Sequence, residues 1–90
     1  MSDTERKRRF DALVRQYADD LFRFAVWLCR DHALANDLVQ ETFLRAWKAI
    51  DSLKESAAAK SWLITILRRE YARTFERKVP PITDIDNVVV

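Results

Sequence analysis

The amino-acid sequence predicts an all-α fold, a small three-helix bundle with a flexible C-terminal tail. Three observations predict it. Glycine is absent and both prolines sit together at Pro80 and Pro81, so nothing before them breaks a helix outright. Apolar residues recur at three- and four-residue spacing in three separate stretches. Short polar joints divide these stretches, as suits helices packed as antiparallel neighbours. The chain has 90 residues, 49% hydrophobic and 33% charged, which fits one ordinary globular domain with a modest core and little room for a deep enzymatic cleft.

The first helix is expected from about Phe10 to Arg30. Phe10, Leu13, Val14, Tyr17, Leu21, Phe24 and Leu28 fall on one face of it. Asp31 and His32 favour turn and cap conformations and end it. The second helix is expected from about Ala33 to Ile50, with Ala35, Leu38, Val39, Thr42, Phe43, Ala46 and Ile50 buried. Asp51 and Ser52 end that helix, and a polar, alanine-containing loop runs to about Ala59. The third helix is expected from Lys60 or Ser61 to Lys78, capped by Ser61, with Trp62, Leu63, Ile66 and Leu67 toward the core. Pro80-Pro81 stops it, and ITDIDNVVV reads as a flexible linker.

Charge is unevenly spread. The chain carries +2 overall. Residues 60–78 hold six basic and two acidic side chains, whereas residues 31–51 hold two basic and four acidic. A domain with two faces of opposite sign can serve two partners. The sequence offers little for catalysis. Without glycine there is no Gly-rich phosphate loop. Cys29 and His32 are each single, which leaves no disulfide framework, no metal-ligand cluster and no nucleophile–base set. Asp37 and Glu41 lie one helical turn apart, but no histidine follows at a ligand offset. No enzyme, cofactor or metal is expected. Cys29 reads as a small residue at or near the core. A charged start and no membrane-length apolar run predict a cytoplasmic protein with no membrane insertion.

Two exposed stripes carry more information. Asp37, Gln40, Glu41 and Leu44 repeat along the outer side of the second helix. They form either a solvated face or a docking face for a basic partner helix, with Leu44 supplying the buried area. Arg69, Arg73 and Arg77 repeat along the third helix, flanked by Arg68 and Lys78 and interrupted by Glu70 and Glu76. They form either a salt-bridged solvated face or a surface for nucleic-acid phosphates. Tyr71 and Phe75 interleave with them and either stack on unpaired bases or join the core.

Together these stretches resemble a known family. DLVQETFLRAWKAI, residues 37–50, resembles the polymerase-binding helix in region 2 of bacterial sigma factors of the extracytoplasmic-function (ECF) type. SWLITILRRE, residues 61–70, resembles the helix that reads the minus-ten promoter element. The likeness covers roughly Phe10 to Lys78. It implies a region 2 domain over residues 1–79, with 80–90 as a linker toward an absent region 4 domain, the chain being either a fragment of a longer protein or a single-domain form. It also implies that Asp37, Gln40, Glu41 and Leu44 meet the clamp coiled coil of the largest subunit of RNA polymerase core. Trp47, along the same helix and partly in the core, is a further expected polymerase contact.

The loop from Asp51 to Lys60 would capture a base flipped from the melted promoter. Lys54, Lys60, Ser61, Thr65, Arg68, Arg69, Arg73 and Arg77 would contact the non-template strand. An anti-sigma factor covering these faces is a further expected partner. Arg69 and Arg73 depart from many relatives, which carry asparagine and an acidic or amide residue there. The departure makes phosphate contact more prominent than base reading. Two other classes remain on the sequence alone, a helical interaction adaptor that binds no DNA and a helix-turn-helix duplex binder. The second is disfavoured because no tight turn precedes a recognition helix in register.

Overall fold

The computed structural model describes residues 2–78, with side chains as far as Thr74. Three helices form the expected bundle: α1 (Asp3–Cys29), α2 (His32–Lys48) and α3 (Ala59–Lys78). Two short 3-10 turns, Ile50–Ser52 and Ser56–Ala58, lie between α2 and α3, and there is no strand among the described residues. The sequence-predicted tail, residues 80–90, lies outside the described residues.

Helix α1 starts two turns earlier than its apolar spacing predicts. Residues 3–9 contain no apolar side chain, so hydrophobic periodicity is silent there. Capping supplies the reason for the helix. Ser2 is extended, and its Oγ accepts the Glu5 amide at 3.2 Å. Asp3 and Glu5 also place negative charge in the first turn, where the helix dipole is positive. Ser2-x-x-Glu5 has the capping-box spacing that could have revealed this start.

The α1–α2 joint is tight although it lacks glycine. Arg30 adopts the left-handed conformation, with φ 58°, and donates its backbone N–H to Val26. For a residue with a Cβ this conformation costs about 1–2 kcal/mol. Asp31 then caps α2 by accepting the Leu34 amide at 3.0 Å, so the two-residue turn is Arg30-Asp31, one position earlier than predicted.

The second helix buries the whole of its predicted stripe, from Ala35 to Ala46, followed by Ile50 in the first 3-10 turn. The main core gathers Leu21 and Ala25 of α1, Ala35, Val39, Phe43 and Ala46 of α2, and Leu63 and Leu67 of α3. Phe10, Val14, Tyr17, Phe24, Leu28 and Cys29 pack against it while partly exposed. Three alanines in this core let the helix axes approach closely, and three leucines fill the space between. Burying each leucine contributes about 1.5–3 kcal/mol. A smaller cluster of Leu13, Ile50, Leu53 and Ala59 ties the loop to α1.

The polar residue inside the bundle is Thr42, whose hydroxyl donates to the Leu38 carbonyl at 2.7 Å. Glu70 is buried too, at 2% exposure, although the sequence places it among surface arginines. Ser61 does not cap α3. It lies within the helix, and its hydroxyl donates to the Ala58 carbonyl at 3.2 Å.

Candidate functional site

The outer stripe of α2 sits opposite the buried one. Asp37, Gln40 and Leu44 are exposed and Glu41 is half-buried. Leu44, at 47% exposure, is one of two large apolar side chains at the described surface; the other is Trp27 on α1. A leucine held open beside two carboxylates and an amide has the makeup of a docking face, with an apolar centre and a charged rim. Trp47, on the same helix, turns partly inward. Its ring packs edge-on to Phe10, with centroids 5.4 Å apart, and the Arg6 guanidinium lies 4.8 Å above it. Whatever Trp47 offers a partner, it offers only through its uncovered edge.

The first turns of α1 hold the end of this helix and the loop after it. Arg6 donates to the Trp47 carbonyl at 3.3 Å and approaches Asp51 at 3.5 Å. Arg9 donates to the Leu53 carbonyl. Nothing in the sequence pairs residues 6 and 9 with residues 47–53. The contact becomes visible only once α1 extends back to Asp3.

Beyond that loop lies an open groove of about 620 Å³. Its walls are Ser52, Leu53, Lys54, Glu55 and Ala58 from the loop, and Ser61, Trp62, Thr65, Ile66 and Arg69 from α3. Four of the sequence-predicted strand contacts therefore meet in one place: Lys54, Ser61, Thr65 and Arg69. Trp62, predicted as core, is only half-buried and forms part of the wall. The groove is lined like a nucleobase site, with an aromatic face, apolar sides and a rim of cations and hydroxyls. At about 30 Å³ per water, it has room for a group far larger than solvent.

The other predicted contacts lie elsewhere. Lys60 is exposed and turns toward α1, with its Nζ 3.7 Å from Asp20. Arg68 is exposed and lines neither the groove nor the cleft described below. The side chain of Arg77 lies outside the described residues, as do those of Phe75 and Glu76. Tyr71 is half-buried.

Arg73 belongs to a second cavity, of about 310 Å³, between α2 and α3. The buried carboxylate of Glu70 lies at its floor. Glu70 Oε2 is 2.5 Å from Arg45 Nε and 3.4 Å from Arg73 Nη1. Arg45 Nε is also 3.4 Å from Glu41. A chain of four charges therefore runs from the outer stripe of α2 to the basic face of α3. Sequence reading puts Arg45 and Lys48 on the outer side of the second helix but gives them no site role; they line the same cleft from α2. The basic pair at the end of α2 was the available signal.

No group of three or more possible metal ligands occurs among the described residues. No helix there is long and apolar enough to cross a membrane.

Comparison with known proteins agrees with the family resemblance. Residues 13–79 match the family model for sigma-70 region 2. The chain belongs to that family, and its relatives place it with the ECF sigma factors. It is 35% identical over 78 residues to the ECF RNA polymerase sigma factor SigM of Bacillus subtilis, an alignment covering 83% of this chain and 47% of that protein. It is 43% identical over 58 residues to the ECF RNA polymerase sigma factor SigL of Mycobacterium tuberculosis, covering 63% of this chain and 33% of SigL. With EcfG of Rhodopseudomonas palustris the identity is 38% over 63 residues, covering 70% and 35%. The chain thus spans between a third and a half of the length of these curated relatives. No solved structure gives a significant match.

Proposed function

We propose that this domain is a non-enzymatic transcription-initiation module, which binds RNA polymerase core and holds the minus-ten element of a promoter open as single-stranded DNA. The observation that carries the DNA half of this reading is the groove between the loop and α3. Its aromatic wall and its rim of Lys54, Ser61, Thr65 and Arg69 suit an unstacked base with its phosphates. A bundle this small cannot force a duplex apart. It can trap a base that has already left the stack and so shift the opening equilibrium.

In this reading Asp37, Gln40, Glu41 and Leu44 form the docking face for the clamp coiled coil of the largest polymerase subunit, with Trp47 at its edge. Arg68, Arg69 and Arg73 of α3 follow the non-template strand, with Lys60 and Arg77 at either end of that helix. The relatives named above are RNA polymerase sigma factors, which supports a role in transcription initiation with RNA polymerase. An anti-sigma factor would act by covering either face.

The experiment is strand binding by the domain held on polymerase core, compared between non-template single strand and duplex of the same sequence. The reading expects preference for the single strand, loss of that preference when the captured nucleotide is abasic, and affinity that falls as salt rises. Equal affinity for the two forms would overturn base capture. Core binding without any strand binding would leave an interaction adaptor instead.

A further inference from the structure

We propose that the cleft between the end of α2 and the middle of α3 is a phosphate-binding site, separate from the base groove, formed by Arg45, Lys48, Arg69 and Arg73. These four cations line one cavity of about 310 Å³, with Ala49, Ile66 and Glu70 completing the wall. For the natural source of its phosphate the proposal rests on the strand-capture reading above, because Ile66 and Arg69 line both cavities. A strand with a base in the groove brings its backbone to this cleft.

Glu70 explains how the cations are held. Burying a carboxylate is unfavourable unless cations attend it, and Arg45 and Arg73 do so. Among the described residues, the ion pairs they make to Glu41 and Glu70 run through Arg45 Nε and Arg73 Nη1. A guanidinium carries five N–H donors in a rigid fork, so each arginine keeps most of its donors. The two side chains remain 42% and 45% exposed, open to an incoming oxyanion. Arg45 Nε is itself buried without an aligned hydrogen bond. Lys48 and Arg69 are exposed and have no ion-pair partner among the described residues.

The charge balance favours an anion. Three effects oppose it, the carboxylates of Glu70 and Glu41 and the C-terminal end of the α2 dipole, the last worth about half a negative charge. Four cations outweigh the three together. Planar forks from two helices, converging with an ammonium, match the several oxygens of a phosphate group better than a single carboxylate.

The test uses two probes, inorganic pyrophosphate with the 90-residue chain and a single strand with the chain held on RNA polymerase core. Inorganic pyrophosphate is titrated while backbone amide and arginine Nε resonances are followed. A single strand carrying one neutral methylphosphonate linkage, moved along its length, then distinguishes a strand phosphate from a free one. The diagnostic variant is Lys48→Glu, since Lys48 lines the cleft and not the groove and has no ion-pair partner among the described residues. The control is Arg8→Gln/Arg15→Gln, two exposed arginines of α1 that remove the same charge.

Pyrophosphate is expected to shift Ala49, Ile66 and Arg69. The cleft variant should bind it about tenfold more weakly and the control should bind it as wild type does. One or two methylphosphonate positions should weaken the wild type and leave the cleft variant unaffected. Equal losses in variant and control would overturn the site, as would shifts that avoid the cleft. Strand binding that ignores the cleft variant also overturns the site and leaves the groove reading standing. Pyrophosphate binding at the cleft without strand binding keeps the site, assigns it to free phosphate and overturns strand capture.

Discussion

Glu70 and Arg45 are not interchangeable halves of one ion pair. Glu70 is buried, whereas the heads of Arg45 and Arg73 reach solvent. Removing Arg45 strands a carboxylate at the floor of the cleft. Removing Glu70 frees two guanidiniums that can turn outward. Arg45→Ala is therefore expected to cost about 3 kcal/mol of folding stability, at the low end for breaking a buried pair. Glu70→Met fills the same space with apolar atoms and should cost less than about 1.5 kcal/mol. Urea denaturation of both variants tests the order, and equal losses would contradict it. Glu70 was the least legible residue in the sequence. At spacing i, i+3 from Arg73 it reads as one more surface ion pair. Its burial depends on where α2 lies, and local periodicity does not carry that information. The stripe Asp37, Gln40, Glu41 and Leu44 was legible because helical spacing alone settles which side is left once Leu38, Val39 and Thr42 turn inward.

The first turns of α1 act on a distant element. Arg6 and Arg9 reach residues 47–53 and fix the loop that walls the groove. Their contacts are charge-assisted hydrogen bonds to carbonyls, partly shielded from water. Arg6→Met/Arg9→Met is expected to cost about 1–2 kcal/mol in all. The Ser52 and Leu53 amides, which bond back to Ala49 and Ile50, should exchange with solvent faster by a larger factor than the amides of α2 do. Uniform loss of protection across the bundle would show that the arginines stabilise the fold and do not position the loop. The three helices themselves were readable wherever apolar residues mark a face. The ends were less so, since caps rather than apolar spacing decide them. Ser2 and Asp31 each set a helix start by accepting an amide, and both starts fell earlier than apolar spacing suggested. The groove was readable as a set of residues, but its aromatic wall was not. Trp62 has the spacing of a core residue, and only the loop's path leaves it half open.

For the whole molecule, one small core supports both proposed faces. Leu63 and Leu67 are fully buried between α1 and α2. Leu63→Ala is expected to cost about 2–5 kcal/mol, a large part of the margin of a domain this size. Thermal denaturation should show a clear fall in Tm with both faces affected together. Gln40 and Glu41 lie outside that core, so their truncation should leave the fold intact. That independence makes polymerase docking the most direct test of the account's central claim, that the outer stripe of α2 is the docking face. The measurement is the affinity of the 90-residue chain for RNA polymerase core, wild type against Gln40→Ala/Glu41→Ala, with Tm recorded for both. A docking face at this stripe predicts binding at least about tenfold weaker at unchanged Tm. Wild-type affinity in the variant would contradict it.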